Sequence, residues 1–505
     1  MSHIAHSGRP TALVIGGSAA GLFAASVLAE FADVTLIERD TLPTGPEDRK
    51  GVPQARHAHL VWSGGVRAFE ELLPGFVDGV VAEGGRLVPI MGDMVSRAPN
   101  EVWFRRFGGR GTGSGDGDGT PHRILVCSRN LLDHVLREHV LREHVLRDHV
   151  QRAHVLRERA PGTGRITVHE DSVVERLEGT ATRVTGVTAR IGTGTRTLTA
   201  DLVVDASGRG SRAPAWLQAL GLPAVTERQV DAGVAYATRT FRAPGTTGEG
   251  FPLVNVQASP AKAPGQGGII LPVEDGRWIV TLSGSRGGEP TKDPDAFTSF
   301  ALGLGDPVIG ELIKDAEPLG DVVTTRSTAN QRRYYEKMKD WPDGFVVLGD
   351  AVAGYNPVYG HGLTVAAQSA LALRAVLADA GPTAPGAARR VQRAAARPVS
   401  AAWDLAVGQD ACYPDASATP PRAVERLLTR FVDRAVETAA RSPRALGALL
   451  DVMSLEKPAT RLFSPDVLVP MLFGPRKPHL QAPPLTDAER KAAAAPSQDP
   501  SSRLG

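Results

Sequence analysis

The chain has 505 residues, 42% hydrophobic and 22% charged, the make-up of a soluble globular protein with enough length for two or three domains. Its formal net charge is only +2 and 48 of its 57 basic residues are Arg, so bulk charge gives no case for binding nucleic acid or membrane. Two cysteines, Cys127 and Cys412, cannot build a disulfide framework, no apolar signal region opens the chain and no run of 18 apolar residues predicts a spanning helix, so a reducing cytoplasm is the expected setting.

Residues 11–37 predict strand, helix, strand. The run Ala12-Leu13-Val14-Ile15 enters the turn Gly16-Gly17-Ser18-Ala19-Ala20-Gly21 and leaves into a small-residue helix. Glu38, followed by Arg39, ends the next apolar run. A tight glycine turn, a helix start for a pyrophosphate and an acid about 20 residues on for a ribose hydroxyl make a dinucleotide fingerprint. Ser18 stands where a second glycine is usual, and it is small enough for close approach. Residues 43–54 predict a loop returning to this site, and residues 60–73 a helix ending before Pro74. Residues 80–126 hold strand-like pieces around Val102-Trp103-Phe104 and a glycine-rich loop over 108–119.

A five-residue repeat follows, with His134, His139, His144, His149 and His154 at its start positions. Five residues turn an α-helix through about 500°, so successive histidines are displaced by about 140° round the axis and cannot share a metal. The same drift denies the Val/Leu pairs a continuous seam. The residues are good helix formers, and the reading is a helix lengthened over 134–158 without catalytic role. A non-catalytic partner protein using this helix as an arm is the rival from another class.

Residues 167–205 predict short strands with Gly/Thr turns, closing on Asp205 with Ser207, Gly208, Ser211 and Arg212. That segment alone reads as a β-turn. Residues 230–285 alternate as an antiparallel sheet suited to covering a substrate, 295–315 predict a helical pair, and 324–334 return to the first domain. Phe345-Val346-Val347-Leu348 predicts a buried strand, and Gly349-Asp350 ends it before a Pro/Gly loop and a helix over 365–377. Asp350 can accept hydrogen bonds from sugar-like hydroxyls, and the free amides of the helix start favour an anion. Residues 398–475 predict helices broken by Pro414, Pro420, Pro421, Pro443 and Pro458, and the Pro/Ala/Ser-rich end from about 481 a disordered tail.

In this order and spacing the three motifs resemble the flavoprotein monooxygenases of the aromatic-hydroxylase and squalene-epoxidase type, over about residues 10–400. Arg49-Lys50-Gly51-Val52-Pro53-Gln54 with His57 and His59, Tyr236-Ala237-Thr238-Arg239, Glu274 to Trp278 and Asn356 to Gly362 narrow the likeness to the FAD-dependent epoxidases of polyether polyketide biosynthesis. The resemblance implies an α/β fold. Residues 8–72, 120–222 and 322–400 would form a Rossmann-like FAD-binding domain. Residues 73–119 and 223–321 would form an antiparallel β-sheet substrate domain, 401–480 a C-terminal helical extension, and 481–505 the tail.

It implies FAD held by Gly16, Gly17, Ser18, Ala20, Gly21, Glu38 and Arg39, with Glu38 on the adenosine ribose and Asp350 on the ribityl chain. Arg49 and Arg129 would meet the pyrophosphate or adenosine half, and Gly51 and Val52 the isoalloxazine edge. Pro357 and Gly360 would lie against the ring, with the amides of Gly362, Leu363 and Thr364 at its N1–C2=O. The implied reaction is epoxidation of a linear polyene polyketide by a flavin C4a-hydroperoxide formed with O2. NAD(P)H or an external flavin reductase would supply the electrons. No protein nucleophile or metal is expected, and neither His57 nor His59 is required as acid or base. Phe241, Val254, Leu271, Pro272 and Tyr355 are candidates for an apolar substrate pocket. An aromatic hydroxylase and an isoprenoid or polyene double-bond reductase stay open; the Trp-x-Trp-x-Ile-Pro signature of flavin-dependent halogenases is absent.

Overall fold

A computed structural model describes residues 8–106, 122–142, 145–147, 166–245, 247, 250–260, 262, 264–416, 423–474 and 477–495. The apolar run Thr11–Ile15 forms a strand (β1), the small residues Ala19–Ala29 a helix (α1) and Asp33–Ile37 a strand (β2). Ser63–Leu72 (α2), Met94–Arg97 (β3), Arg129–Arg142 (α3), Val145–Arg147 (β4), Ile166–His169 (β5) and Leu202–Asp205 (β6) follow. Ala235–Arg242 (β7), Leu253–Val256 (β8), Gln266–Val273 (β9) and Arg277–Gly284 (β10) are strands of a second sheet. Pro294–Leu302 (α4) and Val308–Ile313 (α5) precede Val323–Thr325 (β11) and Phe345–Val347 (β12). The chain then turns helical in Gly362–Ala380 (α6), Ala387–Asp410 (α7), Ala423–Ala439 (α8), Pro443–Met453 (α9), Pro465–Phe473 (α10) and Asp487–Ala494 (α11).

Two six-stranded sheets organise these elements. The first runs in the order β12-β6-β1-β2-β5-β4 and every pair in it is parallel. Its central strands are buried along nearly their whole length, as expected for a parallel sheet covered by helices. The second runs β11-β7-β10-β9-β8-β3, antiparallel except where β3 joins β8 in parallel. This is the α/β fold with an antiparallel second sheet and C-terminal helices that the sequence implies.

The two faces of the second sheet do different work. Phe241, Val254, Ile270, Trp278, Val280 and Leu282 point to one side and pack with Phe297 and Ile309 of α4 and α5. Phe241 and Phe297 lie 6.0 Å apart and Phe251 and Trp278 4.8 Å, pairs worth about 0.5–1.5 kcal/mol beyond their buried area. Leu271 and Ile279, one residue out of phase, point the other way and pack with Met94 and with Leu446, Leu449 and Leu450 of α9.

The C-terminal helices also bind the first domain. The His361 imidazole donates to the Met453 carbonyl (2.9 Å), Gln368 donates to the Leu455 carbonyl (3.0 Å) and Ser63 donates to Glu456 (2.5 Å). His122 lies between Asp451 (3.5 Å) and Glu456 (3.6 Å), and Lys457 and Arg461 hold the far oxygen of Asp451.

Two expectations need correction. The repeat helix does not run on to residue 158: α3 ends at Arg142, and Val145–Arg147 pairs in parallel with β5 as an edge strand. The rest of the repeat, with His144, His149 and His154, lies outside the described residues. The tail is not wholly disordered, because α11 forms within it. Thr486 and Glu489 make a reciprocal capping box, Glu489 pairs with Arg106 at 2.7 Å, and Leu485 is buried. One helix, α6, is long and apolar enough to cross a membrane by length and composition, although half of it is buried inside the molecule. It packs against α1, α2 and α7, and its Arg374 pairs with Glu71.

Candidate functional site

Strands β12, β6 and β1 are neighbours in the parallel sheet, so the motifs at their carboxyl ends meet at one edge. In open parallel sheets that edge is where ligands bind. Gly16 takes φ +99°, and a β-carbon there would fall 2.7 Å from the Ala206 carbonyl oxygen. The first and third motifs are therefore in backbone contact. Gly21 packs as closely on the Gly16 carbonyl. Ser18 is the N-cap of α1 but its hydroxyl caps nothing; it receives Arg129 Nη2 at 3.3 Å instead. The first amides of α1, at Ala19 and Ala20, thus stay open to an anion, with Arg129 beside them and steadied by Asp133 at 2.8 Å.

Glu38 reaches the same turn. Its Oε2 accepts from the Gly17 amide (2.6 Å) and from Arg49 (3.0 Å), and its Oε1 accepts from the Asp40 amide (2.9 Å). A carboxylate has about four acceptor sites, so one remains on Oε1. Arg49 also donates to the Gly17 carbonyl at 3.0 Å. Its two Nη atoms are therefore turned to the glycine turn and to Glu38, the residue that the resemblance sets on the adenosine ribose. Asp40, which the sequence reading passed over, accepts from the Gly51 amide (2.7 Å), and Arg39 reaches the Gly51 carbonyl (3.4 Å). Together they hold the segment carrying Gly51 and Val52.

The third motif is more than a turn. Asp205 is fully buried and accepts from the Ser207 amide and hydroxyl and from the Ser211 hydroxyl; burial pushes its carboxyl upward against these bonds. The segment then delivers Arg209, which donates to the carbonyls of Ala329 (2.5 Å) and Tyr355 (3.5 Å). Arg333 donates to the Ala351 carbonyl at 3.0 Å. These two arginines, invisible as a motif, brace the backbone that follows Asp350, at Ala351 and Tyr355.

Asp350 follows Gly349, whose φ of +62° makes the sharp exit from β12. Burial pushes the Asp350 carboxyl upward, against the pull of Arg209 and Arg129. The group is ringed by protein yet keeps a rim of accessible surface, and no side chain or amide among the described residues bonds to it. A β-carbon at Gly362 would lie 4.0 Å from its Oδ1, so Asp350 borders the start of α6. His361 caps that helix without a side-chain bond, leaving the Gly362, Leu363 and Thr364 amides without intrahelical partners. Thr364 itself is buried against Gly65 of α2. In the loop before it Pro357 and Val358 are exposed, Val358 to 49%, while Gly360 turns with φ +66° under Trp62. An unengaged acid, two open helix starts and an apolar platform suit the hydroxyls, phosphates and ring of FAD.

The other wall is polar. Tyr236 and Thr238 of β7 and Thr281 of β10 lie on the sheet face opposite Phe241. The Ala58 amide donates to Thr281 Oγ1 (3.0 Å), which lies 2.7 Å from Thr238 Oγ1, itself 2.8 Å from His57 Nδ1. If both hydroxyls donate toward His57, every proton in this chain has an acceptor. Nδ1 is then the acceptor and Nε2 carries the proton. Nε2 has no protein partner among the described residues and is not sealed from solvent. Burial and the Arg56 charge lower the His57 pKa to about 4, so the ring is neutral at pH 7. His59 donates to the His57 carbonyl (2.8 Å); burial, then the Arg129 charge, lower its pKa to about 4 as well.

The apolar pocket candidates are mostly misplaced. Phe241, Val254 and, by its pairing with Trp278, Pro272 face α4 and α5, away from this wall. Leu271 is on the near side, under α9. Tyr355 is packed beneath the loop with its hydroxyl 3.3 Å from the Val399 carbonyl.

Residues 9–389 match the family model described as FAD binding domain. Protein Rv3254 of Mycobacterium tuberculosis (strain ATCC 25618 / H37Rv) is 33% identical over 425 residues, which are 81% of this chain and 82% of that protein. Among solved structures, p-nitrophenol 4-monooxygenase PnpA from Pseudomonas putida DLL-E4 aligns with a TM-score of 0.59 at 14% identity, covering 88% of this chain and 99% of that one. The flavin-dependent halogenase CmlS aligns with a TM-score of 0.58 at 18% identity, covering 89% and 77%. At these identities the likeness is one of fold.

Proposed function

The chain belongs to the FAD binding domain family, and from that premise we propose that it is an FAD-dependent monooxygenase that epoxidises alkenes of a linear polyene polyketide. The observation that carries the reading is the meeting, at one sheet edge, of the open start of α1, the unengaged Asp350 and the exposed Pro357–Val358 pair. The epoxidase motifs around Arg49, Tyr236 and Asn356 support the choice of reaction. Reduced FAD supplies the two-electron activation of O2.

The chain's own residues bind and orient. Glu38 uses its last acceptor site for the adenosine ribose, and Arg129 and the α1 amides take the pyrophosphate. Asp350 accepts from the ribityl hydroxyls. The amides of Gly362, Leu363 and Thr364 favour negative charge at the ring's pyrimidine edge. The alkene lies between Val358 and the wall formed by Thr238 and Thr281, and the neutral His57 Nε2–H donates to an oxygen of the substrate chain. Adding one oxygen atom to an alkene consumes two electrons and two protons per O2 and releases water, so no side-chain nucleophile is needed. Electrons come from NAD(P)H bound transiently or from a separate flavin reductase. The two free thiols, Cys127 and Cys412, support a cytoplasmic setting.

The His57 donor favours a second reading, hydroxylation of an oxygenated aromatic ring. Oxygen consumption by the reduced protein with a trisubstituted linear polyene and with a phenol, followed by product mass, separates the two. Stopped-flow anaerobic reduction by NADPH, with and without a reductase, identifies the electron source.

A further inference from the structure

Asp410 is the last residue of α7 and lies beyond the stretch that matches the FAD binding domain. It is 1% exposed. Its Oδ2 accepts from Asn330 Nδ2 (2.6 Å) and Asn356 Nδ2 (3.0 Å), and its Oδ1 accepts from the Tyr359 hydroxyl (2.5 Å). The orientation of both amides follows from their other bonds. Asn330 Oδ1 accepts from the Asn356 backbone amide at 2.8 Å, so its NH2 must face Asp410. Asn356 Oδ1 accepts from the Tyr236 hydroxyl, which in turn accepts from the Val358 amide at 3.0 Å; the Asn356 NH2 is likewise turned to Asp410.

Three donors and no acceptor surround the carboxyl, so the unprotonated form satisfies them all. Among the described residues no Lys or Arg forms an ion pair with it. A buried carboxylate without a counter-cation is costly unless hydrogen bonds replace its water; here three of them oppose that cost, although burial still pushes the carboxyl upward against them. Two of the three donors, Asn356 and Tyr359, flank the exposed Pro357 and Val358. The carboxylate thus grips both ends of the apolar platform.

We propose that Asp410 is a positioning residue that fixes the 356–360 loop against the flavin ring and places a negative charge behind it, making the C-terminal helices part of the flavin site. The inference rests on reading that loop as the flavin platform. The test uses full-length protein, Asp410→Asn and Tyr359→Phe, with FAD affinity by fluorescence titration, the visible flavin spectrum and the midpoint potential. Asp410→Asn is expected to weaken FAD at least tenfold, blur the resolved flavin band and raise the potential, since a negative charge that opposes reduction is gone. Tyr359→Phe is expected to move affinity and spectrum in the same direction by less while leaving the potential near wild type, because the carboxylate remains. Wild-type affinity, spectrum and potential in Asp410→Asn would overturn the proposal. If Asp410→Asn does not fold, an unchanged affinity and spectrum in Tyr359→Phe would overturn it. A wild-type protein that takes up no FAD would overturn the flavin assignment and this proposal together, a result distinct from failure of the proposal alone.

Discussion

Glu38 and Arg49 form a buried ion pair, 3.0 Å apart, with both side chains no more than 6% exposed. The pair ties the end of β2 to the glycine turn, because both partners also bond Gly17. Removing Arg49 strands Glu38 as a buried charge, a loss of about 3–5 kcal/mol, whereas removing Glu38 leaves Arg49, among the described residues, only the longer ion-pair contact to Asp40 at 3.7 Å. Glu38→Gln and Arg49→Met should therefore each destabilise the FAD-free protein strongly in urea, and the double variant should be less destabilised than the sum. Simple additivity would show that the pair is not coupled. Glu38→Ala should also weaken FAD by about 1–3 kcal/mol, the loss of a charge-assisted hydrogen bond.

Asp350 has an acceptor to offer and no protein donor to satisfy. Asp350→Ala should yield mostly FAD-free protein with little change in thermal stability of that form. Full flavin occupancy after purification would place the ribityl chain elsewhere.

His361 gives a signed pH dependence. Its Nε2–H donates to the Met453 carbonyl, and its buried Nδ1 has no partner among the described residues. Burial lowers its pKa to about 4, outweighing the upward pull of that carbonyl. The unfolded chain, with an ordinary imidazole near 6.5, binds the proton first as pH falls. The stability contribution is thus whole above about pH 6.5 and is lost as pH drops toward 4, at about 1.4 kcal/mol per unit. Comparing wild type with His361→Gln by urea melts from pH 7.5 to 4.5 isolates this group from the buried carboxyls. The stability difference should shrink on acidification; a difference independent of pH would contradict the assignment.

His57 should act as a neutral donor. Gln can place an N–H near the same spot, and Leu cannot. His57→Gln should keep KM within about threefold, while His57→Leu should raise it by a factor of ten or more, the worth of roughly one hydrogen bond to a substrate oxygen. Activity with wild type should stay level from pH 8 to 6, since this ring does not titrate there. An inflection near pH 6.5 that disappears in His57→Gln would make it an acid or base instead.

What could be read in the sequence was what depends on local backbone. Gly16, Gly349 and Gly360 take conformations that few other residues adopt, and Glu38 and Asp350 stand at strand ends, so these positions are marked by residue type alone. The substrate wall was not marked in that way. Choosing the apolar members of β7 selected Phe241, whereas the site faces the alternate parity of Tyr236 and Thr238; hydrophobicity pointed to the helix-covered side. Arg49 was visible, but its partner was not, because the pairing with Glu38 depends on the 43–54 loop folding back. Asp410 carried no signal, since its donors come from residues 330, 356 and 359 and meet only in three dimensions. The helix in the tail has a local signal, the capping-box spacing of Thr486 and Glu489, but the Pro/Ala-rich surroundings masked it and the segment reads as disordered.

The most direct measurement is oxygen-18 tracing. FAD-loaded protein, reduced anaerobically, is mixed with oxygen-18 gas and a linear trisubstituted polyene, and the products are read by mass spectrometry. One oxygen-18 atom retained per product, in a group that acid converts to a diol, is the expected result. Hydrogenation of a double bond, chlorination or ring hydroxylation as the only activity, with no labelled epoxide, would contradict it.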